Sequence, residues 1–304
     1  MENFLFILIY LGIGLALRSV SKFSADTPVV LNNLVLYVAL PALIIEKLPQ
    51  LHFSWALLIP ALTPWLLLAI VVVLIVMLSR LLHWDRATTA AMLIVLPLGN
   101  TSFLGFPMIQ ALFGEAWMPY AMIYDQVGSF VALATYSSIL AAYYGENQPQ
   151  VTWRSMLLRV ATFPPFLALC IGLVLKQWPY PPMFASLLHS LSATLVPLIM
   201  IAVGYQLQFK WHGERVSPLL TGLSIKLVVM PLLALIGCLL LGFSGKAVDV
   251  AVFEAAMPPM ISAGAIAMMA GLAPRLVAGL VGYGLLLSFL TLPLWHWLLS
   301  IYNR

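Results

Sequence analysis

The sequence predicts an all-α membrane protein of ten transmembrane helices, built as two inverted five-helix repeats. Three observations predict it: an extreme apolar composition, regular interruption of the apolar runs, and a one-sided distribution of lysine and arginine. Of 304 residues, 63% are hydrophobic and 8% are charged, against roughly 25% charge in ordinary soluble domains. A hydrocarbon layer about 30 Å thick is crossed by about 20 apolar residues in a helix. Ten such runs with short connections use up the chain and leave little for an aqueous domain.

Charges, prolines and glycines place the spans at 3–21, 28–48, 55–79, 87–112, 117–143, 156–177, 184–208, 218–242, 247–272 and 275–302. The first run, Phe4–Leu17, has no basic stretch before it and no small-residue cleavage site after it, so it reads as a span and not as a signal peptide. Orientation follows from the basic residues. Odd-numbered connections hold Arg18, Lys22, Arg80, Arg86, Arg154, Arg159, Lys210, Arg215 and Arg275, whereas even-numbered ones hold Lys47, Lys176 and Lys246. Nine against three puts the odd connections in the cytoplasm and both termini outside.

The same scatter answers the net charge of +4, because basic residues placed singly at helix ends do not form a nucleic-acid surface. Cys170 and Cys238 lie inside apolar runs, without the spacing of a metal site or redox pair. His52, His83, His189, His212 and His296 fall at or near span ends, show no metal-binding spacing and receive no role. Trp55, Trp84, Trp117, Trp153, Trp178, Trp211, Trp295 and Trp297 are expected at the membrane interfaces as an aromatic belt. No metal and no cofactor is expected.

The two halves, 1–145 and 146–304, resemble each other. Pro41 in the second span has its counterpart in Pro197 of the seventh, and Arg86-Ala87-Thr88 with Pro97 in the fourth is matched by Lys246-Ala247-Val248 with Pro258 in the ninth, at an offset of about 160. An odd number of spans per repeat inserts the second copy upside down, as in many transporters.

Chemistry concentrates where the fourth and ninth spans break. In Leu96-Pro97-Leu98-Gly99-Asn100-Thr101-Ser102-Phe103-Leu104-Gly105-Phe106-Pro107, two prolines and two glycines bracket three polar residues near mid-span. Each proline removes a backbone hydrogen bond, and the freed groups need protein or water partners inside a bilayer. The ninth span breaks at Met257-Pro258-Pro259-Met260, followed by Ser262 and Gly264. Paired interruptions at corresponding places point to a transporter's binding site. A half-helix N-terminus at the midplane presents free N–H groups and partial positive charge, which suits an anion. Asn100, Thr101, Ser102, Pro258, Pro259 and Ser262 are therefore the candidate substrate residues, and Pro97, Gly99, Gly105 and Pro107 complete the crossover with the two prolines of the ninth span.

Asp125, Lys226 and Glu254 are charges inside the fifth, eighth and ninth spans. Each costs about 2.5 to 3.5 kcal/mol if it faces lipid, so the three are expected to face the interior and one another. They read either as an ion-coupling network or as a structural pair. Asp125 and Glu254 are each able to carry a proton or to help coordinate sodium.

The fourth span resembles the auxin efflux carrier family, which includes plant auxin exporters and bacterial malate and malonate permeases. Asn100-Thr101 followed by Gly105-Phe106-Pro107 and Phe113-Gly114 is similar to that family's Leu-Pro-Asn-Thr segment and its Gly-Ile-Pro continuation, with one extra residue in Leu98-Gly99. Leu31 to Leu43, Lys226-Leu227 leading to Pro231-Leu232, and Ala256-Met257-Pro258-Pro259 extend the resemblance over nearly the whole chain. It implies a fold like that of bile-acid and sodium–proton transporters, in which spans 1, 2, 6 and 7 form a scaffold and spans 3, 4, 5, 8, 9 and 10 a transport domain with helices 4 and 9 crossed. It also implies a homodimer in the bacterial inner membrane, an elevator-type movement, and Asn100 as the residue that meets a substrate carboxylate. The short connection at 145–155 is like the compact branch of the family and unlike the plant proteins. The activity implied is secondary transport of small organic anions, mono- or dicarboxylates, with membrane lipid as surroundings. Two other classes compete. A receptor or sensor for an organic acid would use the same site without transport. An intramembrane aspartyl protease would need a second acid to join Tyr124-Asp125, and Val281-Gly282-Tyr283-Gly284 lacks it; Ser262 has no intramembrane histidine placed to activate it.

Overall fold

Long runs rich in leucine, alanine and methionine have no means of satisfying their backbone in lipid except internally, and they fold as helices. The computed structural model describes residues 2–51, 54–145, 152–207 and 216–302. His52, Lys210, Trp211, His212 and Arg215, which entered the sequence analysis, lie outside the described residues. In chain order the helices are α1 (Glu2–Leu17), α2 (Thr27–Lys47), α3 (Trp55–Leu81), α4 (Arg86–Val95), α5 (Thr101–Leu112) and α6 (Glu115–Tyr144). They continue with α7 (Trp153–Ala161), α8 (Pro164–Leu175), α9 (Pro182–Gln206), α10 (Val216–Leu240), α11 (Lys246–Ala255), α12 (Ile261–Met269) and α13 (Pro274–Tyr302). The one β-type pairing among the described residues is a bridge between Gly99 and Pro259.

Among the described residues, six helices, α2, α3, α6, α9, α10 and α13, are long and apolar enough to cross a membrane. A seventh span results if α7 and α8 are taken together, although they bend by 61° at Thr162-Phe163. The bend follows from Pro164 and Pro165, which cannot continue the preceding helix. The chain is thus an all-helical, multi-pass membrane protein. The other expected spans are shorter: α1 stops at Leu17 instead of 21, and the fourth and ninth are split into α4 with α5 and α11 with α12. Asp85 caps α4, its carboxylate accepting the Thr88 N–H at 2.7 Å.

The chain forms two compact units. The first comprises Met1–Ser54, Phe103–Met122 and Leu158–Gln208; the second comprises Trp55–Ser102, Ile123–Leu157 and Phe209–Arg304. The division runs through α5 and α6.

In the first unit, α1 and α9 pass backbone to backbone. A Cβ on Gly14 would fall 2.1 Å from the Ile201 carbonyl oxygen, and one on Gly204 would fall 2.1 Å from that of Leu11. Small residues permit this approach where lipid provides no hydrophobic drive between helices. Arg18, one residue past α1, donates to the Leu207 carbonyl at 2.6 Å, and Tyr205 donates to the Ser24 carbonyl at 2.9 Å.

In the second unit, two spans contain π-helical turns: Tyr124–Ser129 and Leu133–Ser137 in α6, and Ile225–Val229 in α10. Such turns loosen the carbonyl ladder, and aromatic donors on neighbouring helices meet the carbonyls. Trp65 donates to Val127 O at 3.2 Å, and Trp295 donates to Leu227 O at 3.0 Å. Trp295, expected in the interfacial belt, is therefore a buried residue that completes α10. Trp55, Trp153, Trp178 and Trp297 are exposed, as a belt requires.

Candidate functional site

Prolines dictate where the chain breaks in the second unit. Pro97 ends α4, and Pro258 with Pro259 ends α11, leaving five-residue non-helical segments before α5 and α12. The two breaks pair with each other: the Asn100 N–H donates to Pro258 O at 2.8 Å, and the Met260 N–H donates to Leu98 O at 3.0 Å. Backbone groups that lost their helical partners thus satisfy one another, which is what a buried break requires. Gly99 sits at the centre of this bridge. A Cβ there would lie 3.2 Å from Met257 Cβ and 3.3 Å from both Glu254 O and Lys226 Nζ, so the lysine reaches the point where the breaks meet.

Around the bridge the structure collects most of the residues singled out in the sequence. Asn100 and Thr101 are buried, at 1% and 0% exposure. Thr101 Oγ1 donates to Asp125 Oδ1 at 2.5 Å, and Ser102 Oγ donates to the same oxygen at 2.6 Å. Gln126 Nε2 donates to Asp125 Oδ2 at 2.7 Å. Lys226 and Glu254 are also closed to solvent, and Glu254 lies within electrostatic reach of both Asp125 and Lys226. Among the described residues the three charges make no direct ion pair; Lys226 Nζ lies 3.5 Å from Met230 Sδ. Among the described residues, Asn100 Nδ2, Gln126 Oε1 and both carboxylate oxygens of Glu254 have no hydrogen-bond partner.

Pro97, Gly99, Pro258 and Pro259 form the bridge or flank it, and Ser262, partly buried, opens the second half of the broken pair on α12. Gly105 and Pro107 belong to the first unit, whereas Asn100, Thr101 and Ser102 belong to the second. The polar triplet does not act as one surface: Thr101 and Ser102 are committed to Asp125, and only the Asn100 amide keeps a free donor.

Sequence reasoning missed two features. Gln126, buried beside Asp125, carried no signal beyond being a glutamine inside a span. The other is a charged cluster in the first unit. Lys47, counted as a connection residue, is 3% exposed, with Nζ 2.7 Å from Glu115 Oε2 and 3.0 Å from Glu46 Oε1. Glu46 in turn accepts from Ser192 and faces His189 Nδ1 at 3.1 Å. Lys47, Glu115, His189 and Ser192 line a cavity of about 370 Å³ with Tyr10 and Gln110. The signal was the Glu46-Lys47 pair followed by Glu115, but residues 68 positions apart do not announce that they meet. Lys47→Met should lower the melting temperature by an amount equivalent to about 1–2 kcal/mol. Half-exposed Glu115 is screened by water, which keeps the loss below the roughly 3–5 kcal/mol of a fully buried pair. A thermal melt of the purified variant measures it.

Comparison with other proteins agrees with this architecture. A chain of Methanothermobacter thermautotrophicus described as an uncharacterized transporter is 27% identical over 305 residues, which cover 97% of this chain and 96% of the relative. A second uncharacterized transporter, from Methanocaldococcus jannaschii, is 24% identical over 308 residues and 98% of each chain. The profile of the family described as membrane transport protein matches residues 1–296. The resemblance carried by the motifs at Asn100, Lys226 and Pro258 to the auxin efflux carriers is thereby borne out, and the protein is a transporter and not an enzyme. With its paired helix breaks, its buried charges and a family match along nearly its full length, the chain belongs to the membrane transport protein family.

Proposed function

We propose that this protein is a secondary transporter for small organic anions, mono- or dicarboxylates, which bind at the bridge between the two helix breaks. One observation carries the reading: a buried backbone crossing at Gly99 and Pro259 whose adjoining Asn100 amide has an unused donor. A carboxylate is the ligand that an unpaired side-chain N–H donor beside a helix N-terminus favours. Ser262, at the start of α12, adds a hydroxyl from the second break.

The rest of the reading extends the sequence argument. The short helices α1, α4 with α5, and α11 with α12 count as spans, which gives ten crossings in two inverted repeats. The resemblance to the compact branch supports a plasma membrane, the bacterial inner membrane, and the nine-to-three basic bias supports an orientation with both termini extracytoplasmic. The first unit serves as the scaffold and dimerises with a second copy, and the second unit carries the site in an elevator-type movement. That the second unit holds the bridge together with Asp125, Lys226 and Glu254 supports this division.

The test is uptake of radiolabelled acetate, lactate, malonate and malate by purified protein in liposomes, alongside melting temperatures in the same acids. A ligand at 100 times its Kd should stabilise the protein by about 2.7 kcal/mol. Stabilisation without uptake would make it a receptor, and neither response would sink the anion reading. Asn100→Ala should weaken binding of the responsive acid ten- to a hundredfold, as loss of one hydrogen bond to a charged group costs about 1.5–3 kcal/mol. Unchanged affinity would remove Asn100 from the ligand set.

A further inference from the structure

The two carboxylates beside the bridge are served very differently. Asp125 accepts three hydrogen bonds, from Thr101, Ser102 and Gln126, and so has the donors that a buried negative charge requires. Glu254 is equally buried, yet among the described residues neither of its oxygens has a donor. Its surroundings are charged: Lys226 from α10 and Asp125 from α6 act on it electrostatically, and Tyr124 of α6 feels its field. Among the described residues, the other two helices packed on α11, α3 and α13, bring no further acid. From Trp55 to Ser79, α3 has no titratable side chain, and Arg80 follows at its end; α13 brings Arg275, Tyr283 and His296, and α11 itself carries Lys246 and Asp249.

We propose that Asp125 is the permanent negative charge of the crossover and Glu254 its proton carrier, so that one proton travels with the organic anion and Lys226 serves as the resident cation in place of sodium. The proposal rests on the transport reading above and names its coupling. With both acids ionised and Lys226 charged, the trio has a net charge of about −1; protonation of Glu254 brings it to zero. A carboxylate ligand at Asn100 is repelled in the first case and not in the second, so anion and proton favour each other's binding. The step is a simple proton transfer. The Glu254 carboxylate takes a proton from water on the side from which the anion enters, becomes a carboxylic acid, and returns that proton to water on the other side. Gln126, with its own oxygen unused, is free to turn its amide and match an asparagine at position 125, which makes Asp125→Asn a mild variant.

Infrared difference spectra of the purified wild-type protein between acid and alkaline pH, in H2O and in D2O, test the proton site without any substrate. The expected result is a buried carboxylic acid C=O band that titrates, shifts in D2O, disappears in Glu254→Gln, moves in Glu254→Asp and persists in Asp125→Asn. Loss of the band in Asp125→Asn with retention in Glu254→Gln, or no titrating band in the wild type, overturns the assignment. Liposomes then test coupling with the acids of the transport panel. Affinity should fall by up to about tenfold per pH unit on the alkaline side in the wild type, and lose this dependence in Glu254→Gln. Accumulation should follow a pH gradient and be unchanged when sodium is replaced by choline. Sodium-dependent accumulation, or gradient-driven accumulation by Glu254→Gln, overturns proton coupling. If the band behaves as expected while no acid of the panel binds or moves, the transport reading falls and Glu254 as the proton site stands.

Discussion

Asp125→Ala is expected to destabilise the protein by about 3–5 kcal/mol, the range for removing one partner from a buried charged constellation. The carboxylate is the common acceptor for Thr101, Ser102 and Gln126, and its loss strands donors that α5 and α6 place inside the second unit. The penalty falls first on the segment just after the helix break, because two of the three donors belong to it. The measurement is a thermal or denaturant melt of the purified variant beside Asp125→Asn, which retains an acceptor and should lose far less. Equal stability of the alanine and asparagine variants would show that hydrogen bonding to position 125 does not hold the segment.

Gly204→Leu is expected to keep the first unit from assembling. Its Cβ alone would sit 2.1 Å from the Leu11 carbonyl oxygen, and the same holds for Gly14 against Ile201 on the facing strip. Over-packing against movable side chains costs about 1–3 kcal/mol, but here the obstacle is backbone on both helices, so α1 and α9 must separate along their length. The expected outcome is failure to purify as a single species, with Gly204→Ala intermediate. A melting temperature of Gly204→Leu within a few degrees of the wild type would show that the two helices are able to move apart at little cost.

How far the sequence carried the fold depends on the kind of signal. Hydrophobicity is a property of composition, so the long helices were legible, and so were the breaks at Pro97 and at Pro258-Pro259, because proline acts on its own backbone regardless of context. The bend between α7 and α8 is encoded by Pro164-Pro165, but the run is apolar on both sides of it, so hydropathy reads straight through the break. Trp295 shows a related limit: tryptophan near a span end suits an interface, and only its neighbour Leu227 reveals that it is a donor to α10.

The candidate site divides along the same line. Asn100, Thr101, Ser102, Asp125, Lys226 and Glu254 stood out one by one, since a polar or charged side chain in an apolar run is costly and needs a reason. Their relations did not stand out. Whether a carboxylate is served by donors depends on which residues other helices bring to it, and these lie 23 and 24 positions away for Asp125 and on a different helix for Lys226. Lys47 shows the same limit, as its partner Glu115 is distant in the chain and its burial belongs to the packing of the first unit.

The sequence by itself determined that this protein lies in a membrane, where its helices run, and where two of them break, because each of these follows from the local free energy of side chains and prolines in an apolar medium. Only the tertiary structure decided that the breaks pair through Gly99 and Pro259, that Asp125 is hydrogen-bonded and Glu254 is not, and that α1 and α9 meet through glycine. Those are relations between residues far apart in the chain, and they exist only once packing has brought donors, acceptors and backbones to within a few ångströms of one another.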